Sequence, residues 1–485
     1  MKQRVFVCVC LLYVMAGFGQ GLKKTVTLEE VICLAREQSL DALVARDKWR
    51  ASYWQFRNFR ADLLPNVVLE GMLPSFDRSL SSYQKEDGTY TFVSSNSIGG
   101  NLFLAVRQNI PWTGGKIVLQ SRLERIDQLD GEQSTSYMSV PFSILLEQPL
   151  MAVNRLKWNR KIEPERYRQA KQQFAVDMED VAIQAVMYYF GLLLEEVNVE
   201  LDSQNLVNAI SLVEIAERKR NMGILSENDL LQLRLNKLNA SSSLIQSKQA
   251  REQQMFALRN YLGFNEELEL ELVVPSECPR VVVDFVQVLE VANRNNPFRY
   301  EVVCSLLEAA RQVAEAKANR GFRVDVNASI GFTGSDRTLL RTYRDLRNRE
   351  SVSVWISIPI LNWGKGRGYL EVARSQEEVV KMQVKKSEQD FEQGVLTVVR
   401  QFQEQVRLNE IVRLADTISR RRYKTAYEMF VLGKISVLDL NAAQTERDDA
   451  KRAYINQLYL SWKYYYTLRK LALFDFVTGK NIEYK

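Results

Sequence analysis

The chain has 485 residues, 46% hydrophobic and 26% charged, with a net charge of +6. That is the composition of a folded protein, long enough for two or three ordinary domains or one elongated one. So small an imbalance gives no concentrated basic stripe for nucleic acid. The absence of histidine removes the commonest general base and the commonest zinc ligand, which lowers the case for an enzyme.

The N-terminus reads as a secretory leader over residues 1–19. Lys2 and Arg4 supply the positive start, Val5–Met15 the apolar stretch, and Ala16-Gly17-Phe18-Gly19 the small residues for cleavage before Gln20. Removing it leaves 63 basic against 59 acidic residues, a net charge of +4. No cysteine sits at the cleavage point, so a lipid anchor is not expected. Cys8 and Cys10 fall in the leader; Cys33, Cys278 and Cys304 are odd in number, widely spaced and form no C-x-x-C pair. Neither a zinc site nor a disulfide framework is expected. Beyond the leader no apolar stretch reaches the ~18 residues of a spanning helix; the best, Val181–Leu194, contains Gln184. If the chain spans a membrane, it does so with strands.

A helical stretch follows at Thr27–Asp62, then strand-like segments at Asn66–Met72, Asn101–Ile110, Lys116–Glu124 and Ser139–Gln148. A long helix is expected from about Arg155 to Asn221 and a shorter one over Glu227–Leu262. The order then repeats. Val283–Arg320 is helical with a break at Asn296-Pro297. Strands follow, then helices from about Gly368 to Leu432 and over Val437–Leu471. Two landmarks recur at an offset of 210: Gly223, Ser226, Asp229 and Leu230 match Gly433, Ser436, Asp439 and Leu440, and Pro149 matches Pro359. Matched landmarks at one spacing argue for tandem halves. These are residues 20–263 and 283–473, joined by a linker over 264–282 and followed by a tail over 474–485. A helix of about 65 residues is roughly 100 Å long at 1.5 Å per residue. It needs other helices along its length. The two shorter helices of each half, stacked end to end, match it. Gly223 and Gly433 supply left-handed helix stops, and Ser226 with Asp229, like Ser436 with Asp439, has capping-box spacing.

Between the helices the period changes to 2. Val324, Val326, Ala328, Ile330 and Phe332 share one face of Arg323–Phe332. Val352, Val354, Ile356, Ile358 and Ile360 share one face of Ser351–Ile360. Ten residues with one apolar and one polar face suit a tilted strand with lipid on one side and water on the other. A half-buried sheet in a soluble domain explains the alternation too, but not the pairing of such strands with very long helices. The link Thr333–Glu350 is polar, as an external loop is. The first half is about 47 residues longer at its strands, and Gln108–Lys116 looks like an extra copy of the strand-ending proline motif, which suggests an inserted hairpin. Four to six strands cannot close a barrel alone, since known barrels start at 8; four core strands from each of three copies would give 12.

The tandem halves, the two Gly-x-x-Ser-x-x-Asp-Leu turns, the strand end Gln148-Pro149-Leu150 and Asn362-Trp363-Gly364 at the second long helix resemble the outer-membrane efflux protein family. The likeness runs from about Thr25 to Phe474. It implies a mainly α fold, a long antiparallel coiled-coil helical barrel plus a shared membrane β-barrel of 12 strands, in two tandem repeats. It also implies a homotrimer in the Gram-negative outer membrane with a periplasmic extension. Such a trimer is a passive exit duct, with no cofactor or metal, for an efflux pump or a type I secretion system. Its partners are a periplasmic adaptor, an inner-membrane pump and outer-membrane lipid; no nucleic acid is expected. An equatorial collar would include Phe264–Val282 and the C-terminal tail. The turns at Gly223 and Gly433 become the periplasmic tip. Asp439, with its counterpart Asp229, falls where the family places a constricting acidic ring. A second acid three residues on, present in some members, is Ala442 here. Arg420-Arg421-Arg422-Tyr423-Lys424 reads as solvated helix surface or an adaptor contact. Gly364-Lys-Gly-Arg-Gly368 lacks phosphate-loop spacing and reads as a strand-to-helix turn. The rival reading is a secreted coiled-coil adaptor or structural protein without a barrel.

Overall fold

The computed structural model describes residues 23–130, 133–223, 225–264, 269–275 and 279–484. The leader and Cys278 lie outside them. Two compact units divide the chain: one holds residues up to Ala45, Ala175–Val288 and Leu396 onward, the other Arg46–Phe174 and Leu289–Val395. Helices α2 (Leu40–Ala61), α3 (Arg155–Asn221), α5 (Phe285–Asn295) and α7 (Lys365–Val431) run from one unit into the other.

The second unit is organised by a six-stranded sheet in the order β2 (Asn66–Gln84), β3 (Tyr90–Asn109), β4 (Lys116–Gln128), β5 (Ser134–Pro149), β7 (Arg323–Asp336) and β8 (Arg347–Ser357). Every neighbouring pair is antiparallel. The first half thus contributes four strands and the second half two. The extra pair is a hairpin whose turn is the proline motif: Ile110 N–H donates to Gly115 O at 2.8 Å and Gly114 N–H to Ile110 O at 2.9 Å, with Gly114 at φ +79°. Glycine takes that left-handed backbone without a Cβ clash.

Several strands outrun their sequence expectation. β2 and β3 pair from Asn66↔Arg107 to Gln84↔Tyr90. β7 continues to Asp336 and β8 begins at Arg347, so the expected external loop Thr333–Glu350 shortens to residues 337–346, with a short 3-10 turn at Arg341–Tyr343. β8 stops at Ser357, leaving Ile358 and Ile360 beyond it. Pro359 cannot donate a ladder hydrogen bond, which ends the pairing there.

The helical segments of this unit pack on one another through aromatic side chains. Trp49 of α2 stacks on Tyr167 of α3 with centroids 5.2 Å apart, and Phe56 on the same ring at 4.6 Å. Phe298 of α6 (Phe298–Arg320) stacks on Phe391 of α7 at 4.8 Å. Ile162 is wholly buried.

The first unit is helical apart from small strand pairs. β1 (Lys23–Val26) pairs in parallel with β6 (Glu269–Leu272), and β9 (Phe474–Asp475) with β10 (Lys480–Asn481) in the C-terminal tail. Thr27 and Glu30 form a capping box on α1 (Leu28–Gln38). The first helical stretch is broken at Ser39, where ψ of 150° interrupts the helix and the Ser39 hydroxyl accepts from Ala42 N–H at 3.2 Å, restarting it as α2. Tyr189, Leu192, Leu193, Leu258, Leu262, Ile455 and Leu458 are buried, each contributing about 1.5–3 kcal/mol where fully desolvated. Glu179 has no exposure and takes Arg36 at 2.9 Å, Arg469 at 3.3 Å and the Tyr484 hydroxyl. The tail is thereby fastened to α1, α3 and α8 (Val437–Ala472).

Candidate functional site: duplicated helical turns and an amphipathic sheet

The two repeated turns are built alike. α3 ends at Asn221, Gly223 takes φ +75°, and Ser226 caps α4 (Glu227–Leu262). α7 ends at Val431, Gly433 takes φ +74°, and Ser436 caps α8. Asp229 N–H donates to Ser226 Oγ at 3.1 Å, and Ser226 Oγ donates to Asp229 Oδ2 at 2.7 Å. Asp439 repeats both contacts, and Ser436 N–H also donates to Asp439 Oδ2 at 3.2 Å, which completes the capping box in the second copy. The Ser436 hydroxyl and backbone hold the Asp439 carboxyl below the ordinary aspartate value of 3.8. Asp439 is exposed and Asp229 half-buried.

Beneath the turns lies one apolar cluster that draws on both copies: Leu212, Val213, Ala216, Leu230 and Leu233 from the first, Tyr423, Phe430, Val437, Leu440 and Ala443 from the second. The Gly-x-x-Ser-x-x-Asp-Leu repeat thus delivers its last residue, Leu230 or Leu440, into a shared core where each is fully buried. Lys219 Nζ donates to Phe430 O at 2.9 Å.

Next to this core is a buried polar cluster that motif reading missed. Arg447 Nε donates to Asp448 Oδ1 at 2.8 Å, Asn205 Nδ2 to Asp448 Oδ2 at 2.7 Å, and Arg447 Nη2 to Asn205 Oδ1 at 2.5 Å. The Arg447 guanidinium lies 4.2 Å from the Tyr423 ring centroid, and Asn208 Nδ2 donates to the Tyr423 hydroxyl at 3.1 Å. The cluster ties α3, α7 and α8 together. Its one sequence signal is that Arg447 continues the core-facing spacing Leu440, Ala443 of α8. Of the basic run, Arg420 pairs with Asp416 and Arg422 with Glu446, while Tyr423 is buried rather than solvated.

The sheet has two unlike faces. Directly paired residues of antiparallel strands point to the same side, so the register sorts them. Val67, Val106, Leu119, Ile144 and Ile330 are joined partner to partner across five strands. Leu69, Leu102, Leu104, Ile117, Phe142, Val324, Val326, Val352, Val354 and Ile356 share their side. Most of these are exposed: Leu69 69%, Ile330 56%, Val352 77%, Val354 56% and Ile356 57%. Charges join this face only toward the ends remote from the helices, at Arg78, Arg125, Asp127, Asp336 and Glu350. The opposite face carries the ion pairs Arg107–Glu70 at 2.8 Å, Lys116–Glu147 and Arg122–Glu124, both at 2.9 Å, and Arg323–Asp325 at 3.7 Å. Ile358, expected on the apolar face, is 64% exposed but lies past the strand.

An apolar sheet face this broad is far beyond the patch size of monomeric soluble proteins. Among the described residues no helix is long and apolar enough to cross a membrane. The outer strands β2 and β8 pair on one side only. Together these features define a subunit of a strand-built membrane channel.

The model of the family described as outer membrane efflux protein matches residues 31–264 and 292–472. No curated protein gave a significant match. Among solved structures, the fold is similar to the CmeC outer membrane channel of Campylobacter jejuni, at 14% identity and TM-score 0.63 over 94% of this chain and 87% of that one. It is also similar to the outer membrane protein VceC of Vibrio cholerae, at 15% identity and TM-score 0.58 over 94% and 97%. The open state of the MtrE outer membrane channel of Neisseria gonorrhoeae is 14% identical, with TM-score 0.59 over 94% and 89%. The chain belongs to the outer membrane efflux protein family. It is an outer-membrane channel subunit, the exit duct of an efflux pump.

Proposed function

We propose that three copies of the chain form one continuous passive conduit, each lending its sheet to a common membrane barrel and its helical hairpins to a periplasmic tunnel. The observation that carries this reading is the single apolar face shared by all six strands and bounded by unpaired edges. Unpaired backbone groups in lipid cost several kcal/mol each, so the edges require further copies. Outer-membrane lipid covers the apolar face, and the ion-paired face lines water.

In this reading the Gly223 and Gly433 turns form the periplasmic entrance, the docking end for an adaptor and an inner-membrane pump. A type I secretion pump would use the same end. Three copies each of Asp229 and Asp439 surround the axis and favour cations by focusing negative potential. The transport step calls for no bond making, so the protein conducts rather than catalyses. A soluble coiled-coil adaptor accounts for the helices but leaves the exposed face of Val352, Val354 and Ile356 unexplained.

The test is Asp439→Asn in planar bilayers. The amide keeps the cap acceptor and removes the charge, so cation preference should fall while the trimer persists. Because Ser436 lowers the Asp439 carboxyl, its charge should persist as pH falls through the ordinary aspartate range. Selectivity identical in both proteins would leave Asp439 a helix cap and nothing more.

A further inference from the structure

The extra hairpin β3–β4 has three conceivable places: folded into the lumen, projecting outside, or built into the wall. The register decides among them. Hydrogen bonds join β3 to β2 and β4 to β5 along most of their lengths, from Asn66↔Arg107 through Gln84↔Tyr90 and from Lys116↔Glu147 through Gln128↔Ser134. Without the hairpin, β2 and β5 would have to be neighbours; with it, they share no hydrogen bond.

The face pattern agrees. Leu102, Leu104, Val106, Ile117, Leu119 and Leu123 lie on the same side as the apolar residues of β2, β5, β7 and β8. Arg107, Lys116, Arg122 and Glu124 lie on the ion-paired side. A plug inside an aqueous lumen has no use for a row of leucines aligned with the lipid belt.

We infer that the β3–β4 hairpin is part of the barrel wall in every copy. Three copies with six strands each then close a barrel of 18 strands, the β2 edge of one copy hydrogen-bonded to the β8 edge of the next. This rests on the trimeric reading above. Closure is feasible because six is even. β2 and β8 run in opposite directions, so every junction between copies is antiparallel like the pairs within a copy. Strands about 4.8 Å apart and tilted about 40° give a ring about 36 Å across for 18 strands and about 24 Å for 12. The exit through the membrane is therefore about half again as wide as a 12-strand barrel.

The experiment is pulsed electron–electron spin distance measurement on the full protein in lipid nanodiscs. A single nitroxide is placed at Leu104→Cys, in a background with Cys33, Cys278 and Cys304 replaced by alanine. Equivalent positions around a three-fold ring lie about 31 Å apart for 18 strands and about 21 Å for 12, and the label's reach adds the same few ångströms to both. Leu119→Cys on β4 is the second site, should the first fail to assemble. Three coupled spins at the longer distance, with relaxation by oxygen rather than by a water-soluble nickel chelate, support an 18-strand wall. Three coupled spins at the shorter distance, or labels reached by nickel, overturn the wall hairpin and leave the trimer standing. A modulation depth of two spins or one overturns the trimer itself.

Discussion

Placing an arginine on each side of β8 separates a lipid-facing wall from an ordinary half-buried sheet. Val354 is central among Val352, Val354 and Ile356, pairs with Val326 and is 56% exposed; its neighbour Ser353 pairs with Asn327 on the opposite face and is also exposed. The two positions are adjacent in sequence, on the same strand and free of packing that an arginine would disrupt. In lipid, an arginine near the middle of the apolar belt costs about 2–4 kcal/mol, and one facing the lumen costs little. The expected cost of Val354→Arg is therefore a roughly 30- to 700-fold loss in the folding equilibrium. Ser353→Arg should stay within about 0.5 kcal/mol of wild type. Folding into large unilamellar vesicles, titrated with guanidinium and read from the heat-modifiable band on gels, measures both. Equal costs at the two positions, or a larger cost at Ser353, would refute the assignment of the apolar face to lipid.

Other perturbations probe the helical turns. Asp448→Ala leaves the buried Arg447 without its carboxylate and should cost about 3 kcal/mol in guanidinium denaturation, with much of that recovered in the double variant with Arg447→Met. Gly433→Ala meets only Lys219 Nζ at 3.7 Å, so its cost is the left-handed backbone alone, about 1–2 kcal/mol by thermal denaturation, and Gly433→Asn should cost less. Glu196, half-buried near Glu269 and Glu271 with Arg251 on α4 opposing them, has its carboxyl raised from 4.5 to about 7, chiefly by desolvation. A carboxyl raised by folding destabilises where it is ionised, so stability should rise as pH falls from above 7 toward 4.5. Glu196→Gln should therefore stabilise by about 1–2 kcal/mol at pH 8, after allowance for solvent screening, and by nothing below pH 4.5, as chemical denaturation at the two pH values would show.

The helices were legible because their stops are written in local chemistry. Gly223 with Ser226 and Gly433 with Ser436 placed α4 over Glu227–Leu262 as expected and α8 over Val437–Ala472. α7 starts at Lys365, earlier than its apolar pattern suggests, because Trp363 and Gly364 turn the backbone at φ 53° and 80°. The break at Ser39 was not legible, for it has neither proline nor glycine and depends on a hydroxyl that re-caps the chain. Strand ends were the weakest reading. Inside the belt, alternation marks a strand; past it both faces meet water, and Ser79, Ser81 and Ser82 carry no period although they remain paired. The cluster of Asn205, Tyr423, Arg447 and Asp448 lay beyond reach for another reason. Asn205 lies over 200 positions from the other three, and a charged pair such as Arg447 and Asp448 on a helix ordinarily reads as solvated surface.

The insertion in the first half came as a hairpin, and topology explains why. β2 leaves α2 at the end of the sheet where the helices attach, and β5 must return to that end to enter α3. In an up-and-down sheet each added strand reverses the chain, so one extra strand would deliver α3 to the far side of the membrane. Two extra strands restore the direction and add one turn at the helical end, which is where Pro111, Gly114 and Gly115 sit, and one turn at the other. The second half, with only β7 and β8 between α6 and α7, obeys the same rule at its smallest size. Strand number in this architecture can therefore change only by pairs. The helical hairpins can keep their duplicated turns and shared core while the wall beside them gains width.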